Sequence, residues 1–119
     1  MYNDKFLIVI AGVVVERATQ GRLLGIFKQF DSSRIYVRIK QHHNLPFVKL
    51  CKEVLAVLQI EHSCLKIQED LPKAKRLQEL NYRLMTESDM IIVMCQDRTL
   101  IEMAKKYNKT ILQFKGRIK

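Results

Sequence analysis

Two kinds of hydrophobic pattern alternate along this chain of 119 residues. Short unbroken apolar runs appear at Phe6–Gly12, which could extend through Val13, Val14 and Val15, and at Met90–Cys95. A brief continuous apolar run bounded by polar residues suits a strand buried on both faces, as in a parallel sheet. Between such runs lie stretches with helical spacing. Leu23, Leu24, Phe27 and Phe30 share one face; Phe47, Leu50, Cys51, Val54, Leu55 and Leu58 form a broad stripe. Ala74, Leu77, Asn81, Leu84 and Met85 continue a third helix, and Leu100, Met103, Ala104 and Tyr107 a fourth. Ile35–Ile39, Ser63–Ile67 and Thr110–Phe114 supply the remaining strands. Alternation in the second of the five strands puts Arg38 and Lys40 among apolar neighbours, which predicts an edge position or a partly solvated face.

Local signals punctuate this pattern. Asn44 is placed to cap the second helix, with Pro46 in its first turn. Glu69 and Asp70 precede Leu71-Pro72, acids at the positive end of the third helix. The resulting order is β-α-β-α-β-α-β-α-β with short connections. It predicts an α/β protein: a single Rossmann-like domain over residues 1–119, with a five-stranded, mainly parallel sheet and helices on both faces.

Composition narrows the partners. Apolar residues make up 48% of the chain, enough for a core at this length. No apolar run approaches the roughly 18 residues of a spanning helix, and the first residues lack the basic region of a signal peptide. A soluble, cytoplasmic protein with no membrane partner is expected. Cys51, Cys64 and Cys95 are widely spaced, which gives no support to zinc or dithiol chemistry. Cys51 and Cys95 fall in apolar stretches and read as buried free thiols. The formal net charge of +9 favours an anionic partner: a nucleotide or nucleotide-derived small molecule, a nucleic acid, or an acidic protein. From Lys105 to Lys119 there are six basic residues and no acid. An exposed sheet edge or helix pair could also support a homodimer.

In an open parallel sheet, ligands sit beyond the carboxyl ends of the strands. That rule singles out Gly12, Glu16, Arg17 and Thr19 after the first strand, and His42, His43 and Asn44 after the second. After the fourth it selects Gln96, Asp97 and Thr99. Arg17 and the helix N-termini could take a phosphate, while Glu16 or Asp97 could hydrogen-bond a ribose or serve as a base or nucleophile. Thr99 fits a helix N-cap as well as a phosphate contact, and Asn81 reads as a polar residue on a helix surface. Each of these positions also fits an ordinary loop or capping residue. Adjacent histidines on a strand point to opposite faces, so His42 and His43 do not predict a metal, and no cofactor is expected.

From Asn81 onward the chain resembles the SLOG superfamily, a Rossmann-like group that includes YspA-like proteins and the DNA-processing protein A domain. Nucleoside 2-deoxyribosyltransferases look similar at this level. The resemblance rests on Asn81 and Met85 in a helix, Asp89 opening a strand, Thr99 in the next turn, and Ala104 to Lys109 closing a helix. It covers about 35 residues well, and the N-terminal part by element order. It implies binding of a nucleotide or related phosphate compound. Family members use glycine-rich turns after the first, second and fourth strands; here only Gly12 and, further on, Gly21 follow the first, and the other two turns have none. The resemblance therefore implies a degenerate, non-catalytic member as readily as an enzyme.

A rival fold also matches part of the pattern. Phe6–Gly12, a hairpin over residues 23–28 and 34–40, and a helix over residues 44–60 resemble half of a LAGLIDADG homing endonuclease, an αββαββα fold that binds DNA with its sheet. In that alignment the two acidic positions fall on Val15 and Arg17, which implies a DNA-binding domain without catalytic acids. That fold makes residues 90–95 helical; the Rossmann-like reading makes them a central strand.

Overall fold

A computed structural model of the chain describes residues 5–13, 15, 17–94 and 97–113. Five strands, β1 (Phe6–Ala11), β2 (Ile35–Gln41), β3 (Glu61–Lys66), β4 (Met90–Val93) and β5 (Thr110–Gln113), form one sheet in the order β3-β2-β1-β4-β5. Every pairing is parallel. Four helices connect them: α1 (Thr19–Phe27), α2 (Leu45–Val57), α3 (Lys73–Thr86) and α4 (Arg98–Lys106). The α/β, Rossmann-like architecture is the one expected from the alternation of patterns. The homing-endonuclease-like alternative is overturned, because Met90–Val93 is a strand paired in parallel with both β1 and β5.

The strand order explains the two cores. The chain steps outward from β1 to β2 to β3, then returns to the centre for β4 and steps the other way to β5. Right-handed crossovers place the helices of the two excursions on opposite faces. Ile8, Ile10, Val37, Ile39 and Ile92 meet Leu23, Phe27, Phe47, Val54 and Leu55 from α1 and α2. Val9, Ala11, Ile91 and Val93 meet Leu80, Leu84, Met85, Leu100 and Ala104 from α3 and α4. The central strands are buried on both sides, which is why they read as unbroken apolar runs.

Several boundaries have a local cause. β1 ends at Ala11, and Val13 and Val15 are exposed and outside the strand, so the expected extension is not made at these two; Val14 lies outside the described residues. Asp89 ties the starts of β1 and β4 together: its Oδ2 accepts from Leu7 N at 2.8 Å, and its own N–H donates to Leu7 O at 2.8 Å. Helices α2 and α4 end with Gln59 and Asn108 in the left-handed region, φ 57° each. The following N–H groups, of Ile60 and Lys109, donate back to Leu55 O and Ala104 O, closing each helix.

The edge position expected for β2 is corrected. β2 lies between β1 and β3; its two basic residues both form ion pairs, Lys40 in the interior and Arg38 on a face that stays partly solvated, as the alternative expectation had it. Arg38 pairs with Glu87 at the end of α3, and Lys40 pairs with Asp97. Among the described residues, no helix is long and apolar enough to cross a membrane.

Candidate functional site

The order β3-β2-β1-β4-β5 places the switch point, where successive connections diverge to opposite faces, between β1 and β4. Beyond the carboxyl ends of these strands lies a cleft of about 280 Å³. Gly12 and Val13 follow β1, Lys40 and His42 come from the end of β2, and Asp97, Arg98 and Thr99 open α4; Asn44 and Leu77 complete the lining. Five positions singled out by the strand-end rule are thus brought together: Gly12, His42, Asn44, Asp97 and Thr99. Arg17 is exposed in the turn before α1, and Thr19 is buried in its first turn; neither lines the cleft. Nor does His43, which is exposed with φ 56°. Glu16 and Gln96 lie outside the described residues.

The most informative residue was not among the expected site positions. Lys40 is 5% exposed, and its Nζ lies 2.5 Å from Asp97 Oδ2. A desolvated ammonium persists in an interior only with a close counter-charge. Here that pair spans the switch point from the end of β2 to the start of α4. The apolar neighbours of Lys40 in sequence obscured this, because its partner lies 57 positions away.

Asp97 also organises α4. Its Oδ1 accepts from Leu100 N at 3.3 Å and from Thr99 Oγ1 at 3.2 Å. The N-cap is therefore Asp97 and not Thr99. Thr99 Oγ1 in turn accepts from Asn81 Nδ2 at 3.2 Å. Asn81 is 1% exposed, which corrects the expectation of a surface residue; burial of its helix face by α4 is the cause. A continuous polar chain thus runs Lys40–Asp97–Thr99–Asn81.

Two expected ligand positions have structural work instead. Asn44 is 4% exposed: its Nδ2 donates to Gly12 O at 2.7 Å and Lys40 O at 2.9 Å, and its Oδ1 accepts from His42 N at 2.7 Å. It joins the ends of β1 and β2 and makes no side-chain cap to α2, contrary to expectation. Gly12 leaves room for the ring of Phe47: a Cβ there would lie 2.5 Å from Phe47 Cζ. The space that a phosphate-binding glycine keeps open is filled by an aromatic ring.

His42 is held below its usual pKa, first by burial, then by the nearby His43 and Lys40, with Asp97 opposing. It therefore favours the neutral imidazole near neutral pH. Among the described residues, no cluster of three or more His, Cys, Asp and Glu side chains is arranged to hold a metal. No protein-family model, no curated protein and no solved structure matches the chain.

Proposed function

We propose that the chain is a SLOG-type binding protein for a nucleotide or nucleotide-derived small molecule, held in the strand-end cleft and not turned over there. The observation that carries this reading is the buried Lys40–Asp97 pair at the switch point. Lys40 uses one of its three donors on Asp97, and the others suit a phosphate oxygen. Asp97 accepts three bonds, while a carboxylate has about four acceptor sites, so a ribose hydroxyl is a fitting fourth partner. Arg98, exposed at the start of α4, adds a second cation on the same rim. A carboxylate so fully engaged is a poor nucleophile, which favours binding over group transfer. At about 280 Å³ the cleft lies just below the roughly 300–1,000 Å³ of typical ligand pockets, so it suits a sugar-phosphate portion.

A thermal-shift screen against nucleotides, sugar phosphates and short single-stranded DNA tests the reading. A ligand at 100 times its dissociation constant adds about 2.7 kcal/mol of stability. The expected result is a selective shift with a phosphate-bearing nucleotide, reduced in Arg98→Ala. Salt-sensitive binding to DNA with no nucleotide response would reject it in favour of a module acting through its basic surface.

A further inference from the structure

On the outer side of α3 and α4, away from the sheet, the two helices leave a groove of about 790 Å³ between them. Leu71, Leu77 and Met103 supply apolar lining. Tyr82 from α3 and Tyr107 from the end of α4 meet in it edge to face, ring centroids 6.2 Å apart and planes at 69°. Both rings are left substantially in water, at 50% and 41% exposure. Two aromatic side chains exposed at one place offer a platform for other flat rings.

Cations frame the platform. Lys75 and Lys106 line the groove, and Lys73 and Lys105 stand exposed on the same two helices. Among the described residues, none of these four lysines forms an ion pair. Lys106 Nζ lies 5.9 Å from the centre of the Tyr107 ring, so an anion held there sits beside the ring. Of the two acids in the lining, Glu79 is met by Arg83 at 2.7 Å, which leaves Glu102 outnumbered by the lysines. The groove therefore presents positive charge and aromatic faces together.

We propose that the groove between α3 and α4 binds single-stranded nucleic acid, with bases stacked on Tyr82 and Tyr107 and phosphates on Lys75 and Lys106. This is a second site beside the one proposed for a nucleotide, and it uses neither Lys40 nor Asp97. Aromatic rings interleaved with cations are what a single strand requires, because its bases are free to stack and its phosphates follow at each step. A duplex keeps its base faces covered by their neighbours. An acidic protein would satisfy the lysines but give the ring pair no planar partner. The net charge of +9 brings either polyanion to the surface; the tyrosines select between them.

Fluorescence anisotropy of labelled oligothymidylate, about 12 nucleotides long, titrated with the intact chain tests this. Two phosphate contacts on a single strand predict at least about sevenfold weaker binding at 200 mM than at 50 mM salt. Tyr82→Ser, at a half-exposed position that keeps the fold, should weaken binding about tenfold and leave the salt dependence unchanged, since stacking releases no counterions. Lys75→Gln with Lys106→Gln should flatten the salt dependence. Lys49→Gln with Lys52→Gln, exposed on α2 across the sheet, should change neither. Binding that ignores Tyr82 and falls equally with either lysine pair would overturn the groove, leaving a diffuse effect of charge. Equal affinity for a duplex of the same length, or displacement by polyglutamate of matched charge, would overturn the stacking and with it the proposal. No binding at low salt would overturn it too, while a nucleotide-induced thermal shift would still stand for the cleft.

Discussion

Replacing Gly12 by alanine separates a packing glycine from a ligand-binding one. Gly12 does not have a positive φ, so alanine is permitted by the backbone and the effect must come from its methyl group. An ideal Cβ would lie 2.5, 2.6 and 2.9 Å from Phe47 Cζ, Cε1 and Cε2. Carbon atoms pack at about 3.5–4.0 Å, so the ring must retreat by roughly 1 Å. Phe47 is fully buried against the α1–α2 core and has little room to do so. Overpacking of this kind costs about 1–3 kcal/mol, and the lower entropy of the unfolded alanine chain returns about 0.4–1 kcal/mol. The expected net loss is about 1–2 kcal/mol, measured as a lower urea midpoint with an unchanged slope. In a Phe47→Leu background the same substitution should cost at least about 0.5 kcal/mol less, since neighbours that clash are not additive. A neutral Gly12→Ala, or equal costs in both backgrounds, would refute the contact with Phe47.

Removing one partner of the interior ion pair should be severe: Lys40→Met is expected to cost about 3 kcal/mol by urea denaturation, because Asp97 is left without its counter-charge. Lys40→Met with Asp97→Leu should recover part of that loss; a double variant no better than the single would contradict the pairing. His42 has a folded pKa below its unfolded value of 6.5, so the unfolded chain takes up the proton first as pH falls. Its contribution is therefore intact above pH 6.5 and declines below it, and His42→Gln should flatten the pH dependence of stability in that window; parallel profiles would contradict the assignment. Cys51 has its pKa pushed up to about 12 by burial. Alkylation at pH 8 followed by peptide mapping should find it unmodified while the chain stays folded, and rapid labelling would show that the site opens.

Much of the fold is legible in local pattern. Met90–Val93 is apolar throughout because both of its faces are covered, and the stripe from Phe47 to Leu58 marks a helix packed along one side. The left-handed stop at Asn108 is likewise a local event, made by one residue and its neighbours. Strand ends as the place for a site follow from element order and the known geometry of parallel sheets. The Rossmann-like class was thus determined by residues close together in sequence, because hydrophobic period and chain stops act over a single turn or strand.

What occupies the strand ends was decided only in three dimensions. Lys40 read as a residue of a solvated or edge strand until the fold brought Asp97 against it. Asn81 read as a surface polar residue, yet it is buried because α4 packs over its helix face, where Thr99 Oγ1 accepts from its amino group. Gly12 and Asn44 are in the expected place but are used by Phe47 and by the backbone of β1 and β2. Contacts among residues tens of positions apart depend on strand order, register and which face each helix covers, none of which a local pattern specifies.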